Sequence, residues 1–400
     1  MTTAAGSIPG VAARPLETRQ ARRGTAVVFA VHGCVVGSFA ARVPWIASHV
    51  GVDVGRLGVA LVMLGIGAVL TTPFAGRLAH RHAFRPLVTV TIVAFCASLV
   101  LTAVPTSLGV LCAALLVFGA AAGLADMAMN AQGVLVEKLL GRSVMSSFHG
   151  FWSTGLLAGS AVSALASHAG VDTRLQFALE ALALALIGTL AARLLLDDPA
   201  AGETVAPPAF ALPTKQVFLI GLVGLCAVFG EMAGTDWSAL FIRDELGGSA
   251  SVAALAVSAY AAMMAAARLV GDPVIRRLGP VRTVRLSGAC AFCGALAVVF
   301  APGLGVGLAG FALLGTGVAL VIPLVFAAAG RVGPHPARSI AGVAGVAYGS
   351  GLIAPGVMGG VAAATSLATS FCLVAVLVAI MALGAGVLRS GEERSPTRGT

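Results

Sequence analysis

The sequence predicts an all-α membrane protein: twelve transmembrane helices in two parallel halves of six. Three observations carry this. Of 400 residues only 10% are charged and 58% are hydrophobic, against roughly 25% charge in an ordinary soluble domain. The charges collect in short segments between apolar runs of about 20 residues, the length that crosses a bilayer as a helix. Residues of the first half also recur at a fixed spacing in the second. The first observation already excludes a soluble enzyme, a nucleic-acid-binding protein and a disordered chain.

Charges, prolines and glycine-rich turns mark the ends of each run. The first span, 25–45, follows Arg22-Arg23, and the second, 57–76, follows Arg56. The third, 86–104, lies between Arg85-Pro86 and Pro105, and the fourth, 108–136, ends at Glu137-Lys138. Arg142 precedes the fifth, 144–166, and Arg174 opens the sixth, 174–196. The seventh, 215–237, starts at Lys215, and the eighth, 251–271, follows Gly247-Gly248-Ser249. The ninth, 283–301, and the tenth, 304–329, are separated by Pro302-Gly303. The eleventh, 338–361, starts at Arg338, and the twelfth, 367–388, closes before Arg389. The domain reading is a tail over 1–24, a six-helix bundle over 25–196, a linker over 197–214, a second bundle over 215–388 and a tail over 389–400. The linker is the acidic, Pro-rich stretch from Asp197 to Pro213.

The net charge of +9 has a topological source. With both termini cytoplasmic, 21 of the 25 Lys and Arg residues fall on the inner side, leaving Arg42, Arg56, Arg174 and Arg243 outside. This is the bias expected of an inner-membrane protein. Arg22-Arg23 and Ser38-Phe39-Ala40 mimic a cleavable signal, but the repeat requires the first helix. All seven cysteines lie in apolar stretches, so no disulfide framework is expected. Cys290-x-x-Cys293 reads as two small residues in a helix, and no cofactor or metal site is predicted.

Arg142 and Arg338 are 196 apart, as are Trp152 and Tyr348, Gly155 and Gly351, and Gly119 and Gly315. Six helices is an even number, so the halves share one orientation. Twelve helices in two parallel halves, with a basic loop after the second helix of each, resemble the major facilitator superfamily. The family's inner-loop signature is Gly-x-x-x-Asp-Arg-x-Gly-Arg-Arg. Gly76 through Arg85 keeps Gly76 and the central Arg81, and the second copy, Asp272 through Gly279, keeps Arg277 and Gly279. His80 and Arg276 stand where the signature has Asp, which in the family helps to latch the cytoplasmic side.

An ionisable residue inside a membrane is a functional candidate by default. Asp126 lies about 27 Å along the fourth helix, on a stripe of Gly119, Gly123, Asp126, Asn130, Gly133 and Glu137 that must face the bundle interior. The stretch from Leu124 to Gln132 resembles the fucose–proton symporter branch of the superfamily. There, an acid and an Asn four residues apart on the fourth helix sit in the central cavity, with the acid linked to proton coupling. Phe148 through Ser153 also resembles that branch, while the first helix offers His32 in place of the branch's acid. Proton coupling is therefore expected at Asp126, Glu231 or His32, and substrate contacts at Asn130, His149, Trp152, Tyr260 and Tyr348. Arg268 is expected to pair with Asp272 four residues on. Arg42 is expected to snorkel at the outer rim, where Asp236 and Trp237 are also expected. Pro73, Pro323 and Pro355 mark bends.

The function these readings favour is secondary transport of a small solute, with no nucleotide motif to drive it. Symport with a proton is favoured over export, since the Arg-x-x-Gln-Gly pattern of drug antiporters is absent from the fourth helix. A transporter-like sensor is the third reading. The partners expected are a small molecule, a proton and the lipid bilayer, with no nucleic acid, and the chain is read as a monomer.

Overall fold

A bilayer offers backbone polar groups no partner but the chain itself, so each apolar run must close its own hydrogen bonds as a helix. The computed structural model describes residues 15–81, 84–140, 144–196, 214–332 and 336–389. The helices are α1 (Pro15–Val50), α2 (Val54–Arg81), α3 (Phe84–Leu101), α4 (Leu108–Leu140), α5 (Met145–His168) and α6 (Thr173–Ala192). The second half holds α7 (Lys215–Asp244), α8 (Ala250–Leu269), α9 (Gly271–Val299), α10 (Leu304–Val318), α11 (Val321–Ala329), α12 (Pro336–Ala364) and α13 (Leu367–Gly384). A single apolar span, Leu304–Ala329, holds both α10 and α11, so the rods number twelve. Ten of them are long and apolar enough to cross a membrane, and Arg85–Leu101 is a shorter apolar helix. The remaining rod is α5, half of it Ser, Thr, Gly or His.

Two helix starts lie far ahead of the sequence reading. α1 begins at Pro15, inside the predicted tail. Proline suits a helix's first turn, and the added turns are held because Gly24 packs on the end of α6, where a Cβ would meet Ala191 O at 2.6 Å. α9 begins at Gly271, well before the predicted 283, and breaks at Gly279 (φ 74°, ψ 166°) ahead of Pro280. Proline disfavours helical geometry in the residue before it, and glycine alone enters positive φ without cost. The bend predicted for Pro323 is the break at residues 319–320, where the proline leaves the Ala319 carbonyl without its helical donor.

The helices run alternately, so the chain has a proximal face, where α1 starts and α13 ends, and a distal face opposite. Contacts confirm the pairing of ends. Arg174 at the start of α6 reaches Ala103 O beyond α3 at 3.3 Å and His49 at the end of α1 at 2.7 Å. Proximally, Arg85 of α3 donates to Leu195 O beyond α6 at 2.9 Å.

Glycines set how close the rods come. A Cβ on Gly33 or Gly37 of α1 would lie 2.0–2.1 Å from carbonyl oxygens of α5, and one on Gly155 or Gly159 of α5 would lie 1.9–2.1 Å from those of α1. Only hydrogen fits there, so α1 and α5 meet backbone to backbone. The repeat is visible at the same level of detail. Gly119 packs on Leu64 O (a Cβ at 1.9 Å) and Gly315 on Tyr260 O (2.4 Å), and both members of the second pair are displaced by the same 196 positions. Gly351 breaks the likeness: Gly155 is locked against Ala30, whereas Gly351 has nothing within 4 Å.

One stripe of α12 shows how the halves sit. At its distal end Gly359 would clash with Gly58 of α2, Ala363 crowds Gly55, and Gly356 faces Val62. Arg243 at the end of α7 donates across the same face to Pro44 O and, at 2.7 Å, to Ser48 Oγ of α1. Following the stripe proximally, Gly349 and Gly345 meet nothing within 4 Å among the described residues. Among the described residues this seam is closed distally and open proximally, while α5 and α8 stay joined through Ser160 and Ser258 at 3.0 Å.

Candidate functional site

Asp126 lies about 21 Å from the proximal end of α4, on the face that packs α2 more distally through Gly119 and Gly123. Beyond those glycines the side chains lengthen and the carboxylate is exposed on this interior face. Its partner is Asn130 one turn on, whose Nδ2 donates to Asp126 Oδ1 at 3.1 Å and to Asp126 O at 2.8 Å. No cation pairs with it among the described residues. Glu137, last of the stripe, serves the fold instead. Its Oε2 accepts from the Val144 and Met145 amides at 2.6 and 2.9 Å, closing the N-terminus of α5.

The glycine contact between α1 and α5 brings His32 onto Trp152. Trp152 Nε1 donates to His32 Nδ1 at 3.0 Å, and His32 Nε2 meets Ala122 O of α4 at 3.3 Å. This fixes the proton on Nε2 and leaves neither ring nitrogen free. His32 also lies 4.6 Å from the Phe95 ring. His149, one turn proximal of Trp152, is exposed with its ring edge-on to Phe29.

Glu231 is not a lone acid. Its Oε1 accepts from Arg268 Nη2 of α8 at 3.3 Å, both side chains being only 12–13% exposed. Arg268 also donates to Ser153 Oγ of α5 at 2.6 Å and to Ala319 O at 3.3 Å, so one guanidinium ties the two halves together. The predicted partner Asp272 has its side chain outside the described residues. Tyr260 is fully buried, its ring against Gly234 and its hydroxyl donating to Glu231 O at 3.4 Å. It offers no surface to a solute in this arrangement. Among the described residues no cluster of His, Cys, Asp and Glu could hold a metal.

The sequence profile of the Major Facilitator Superfamily matches residues 25–355. The chain belongs to that superfamily. An uncharacterised transporter of Sinorhizobium fredii is 35% identical over 92% of this chain and 98% of its own length. An uncharacterised MFS-type transporter of Yersinia pestis is 32% identical, over 90% and 94%, and the membrane protein MosC of Rhizobium meliloti is 28% identical, over 90% and 88%. Among solved structures, the nucleoside transporter NupG superposes with a TM-score of 0.69 at 15% identity, over 93% of this chain and 98% of its own. A D-xylose–proton symporter gives 0.70 at 15%, over 91% and 97%. The protein is thus a membrane transporter of the facilitator type and not an enzyme.

This facilitator holds a polar centre that the sequence reading missed. Arg42 is 4% exposed, not at the rim. Its guanidinium donates to Gln176 Oε1 at 2.5 and 2.8 Å and to Ser167 Oγ at 3.0 Å. Gln176 passes the network on to Glu180 at 3.2 Å, which also accepts from Ser38 at 2.5 Å. Snorkelling fails because α5 and α6 supply enough acceptors to hold the charge inside the first half. Trp237 is likewise buried, at 1%, and not an interfacial anchor, while Asp236 beside it is part-exposed. Of the inner-loop motif, Gly279 is the helix break and Arg277 is exposed. The side chains of Gly76, Arg81 and Tyr348 lie outside the described residues.

Proposed function

We propose that this facilitator moves a small hydroxylated or cationic solute by alternating access, in symport with a proton carried on Asp126. The carrying observation is the carboxylate itself: exposed, held by one neutral amide, and paired with no cation among the described residues. Such an acid can exchange a proton with the open compartment without breaking an ion pair. Glu231 can do so only by leaving Arg268 uncompensated, and His32 only by giving up the Trp152 hydrogen bond. Asn130, bonded to that carboxylate, and His149 and Trp152 of α5 are the proposed solute contacts. With both termini in the cytoplasm of an inner membrane, the open, proximal side of the seam is the cytoplasmic one, and the monomer is the transporting unit.

The test is uptake into proteoliposomes under an imposed pH gradient, using labelled sugars, nucleosides and organic cations. Asp126→Asn keeps the shape and removes the titration. It should abolish accumulation against a gradient while counterflow exchange survives, and Asn130→Ala should weaken solute affinity instead. Accumulation by Asp126→Asn with the wild-type pH dependence would move the proton to Glu231 or His32.

A further inference from the structure

The connection from α8 into α9 carries four arginines that no described residue neutralises. Arg276, Arg277, Arg282 and Arg285 are exposed and none makes a hydrogen bond or ion pair among the described residues. Asp272 is the only acid between Leu246 and Gly391. The break at Gly279 divides α9 into a short helix over 271–278, bearing Arg276 and Arg277, and a rod over 280–299. That rod is about 30 Å long, the thickness of the hydrocarbon core.

The outward stripe of the rod runs Arg282, Arg285, Leu286, Ala289, Cys293, all exposed, with Leu286 at 58%. From Leu286 onward this stripe is apolar and faces acyl chains. Arg282 and Arg285 therefore project outward from the first turns of the rod, and their long side chains, which point back towards the helix start, reach the headgroup phosphates. A guanidinium forks onto a phosphate through two parallel N–H bonds, and paired arginines on one face suit one phosphodiester.

We propose that Arg282 and Arg285, assisted by Arg276 and Arg277, form a binding site for the headgroup of an anionic phospholipid. The site follows Arg268 along the chain, separated from it by residues 269–281, the short helix among them, so an occupied site also steadies the proximal end of α8.

The experiment is native mass spectrometry of the purified full chain with phosphatidylglycerol or phosphatidylcholine added. Wild type should retain phosphatidylglycerol selectively. Arg282→Gln/Arg285→Gln should bind it about 25-fold more weakly, at about one surface-arginine contribution for each residue removed. Arg19→Gln/Arg23→Gln, which removes the same charge from the exposed start of α1, should bind as wild type does. Equal retention of both lipids by wild type, or an equal loss in the control, overturns the proposal. Phenylglyoxal modification read by peptide mass serves on the unaltered chain, should the double variant fold poorly. Phosphatidylglycerol should shield Arg282 and Arg285 and phosphatidylcholine should not; no difference between the lipids is again a refutation.

Discussion

Alanine should have opposite effects at two glycines of the same helix. At Gly155 a Cβ would sit 1.9 Å from Ala30 O, and ordinary contact begins near 3.4 Å. A backbone carbonyl cannot rotate aside, so α1 must withdraw by about 1.5 Å, which also opens the 3.0 Å bond from Trp152 to His32. Overpacking costs about 1–3 kcal/mol and the lost hydrogen bond about 1 kcal/mol, while alanine returns about 1 kcal/mol of helix propensity. The net is a loss of about 2 kcal/mol, using the middle of the overpacking range. At Gly150 nothing lies within 4 Å, so Gly150→Ala should only gain, by about 1 kcal/mol. At about 1 °C per kcal/mol for a chain this long, the two variants should melt about 3 °C apart on either side of wild type. Fluorescence-detected size-exclusion after heating in mild detergent measures this. A Gly155→Ala melting point at or above wild type would refute the backbone contact.

Three further outcomes follow from buried charges and the distal closure. Glu231→Gln and Arg268→Gln should each cost about 3 kcal/mol, since each strands a partner. The double variant should cost clearly less than their sum, and strict additivity would mean that the pair is not formed. Arg42→Met should lower stability by about 3 kcal/mol in the same melting assay, because Gln176 and Ser167 lose a charged donor. A rim arginine would change it by less than about 0.5 kcal/mol. Arg243→Ala removes the bridge to Pro44 and Ser48 and should raise, several-fold, the thiol-reagent reactivity of a Val62→Cys probe in a cysteine-free background; an unchanged rate would show that Arg243 does not hold the distal face.

The number of rods was legible because the bilayer fixes both the length and the composition of each span. Asp126 and Asn130 were legible because a polar stripe at helical spacing has only one side to face. The ion pairs were not. Asp272, four residues from Arg268, is the partner that spacing suggests and its side chain lies outside the described residues, while Glu231, which Arg268 does meet, lies 37 positions back, and sequence spacing carries no signal for contacts between helices. Arg42 was misread for the same reason: its acceptors Gln176 and Ser167 belong to α6 and α5. Glu180 did leave a trace, an acid two turns into the sixth span with Gln176 four residues before it. The break in α9 was legible in Gly279-Pro280, yet the motif directed attention to the glycine as loop signature instead of as the end of a helix.

The bare proximal stretch of α12 bears on how such a chain can change over generations. In the alternating access proposed above, closing the seam proximally would bring Gly345 and Gly349 against the first half as Gly359 is now against Gly58. A methyl group added at either would meet no described residue in this arrangement and so, as at Gly150, would raise its stability by about 1 kcal/mol, while obstructing the arrangement that replaces it. Selection on turnover would remove such variants while selection on abundance kept them. Two classes of glycine, one guarding the fold and one guarding the cycle, are thus distributed along a single face of one helix.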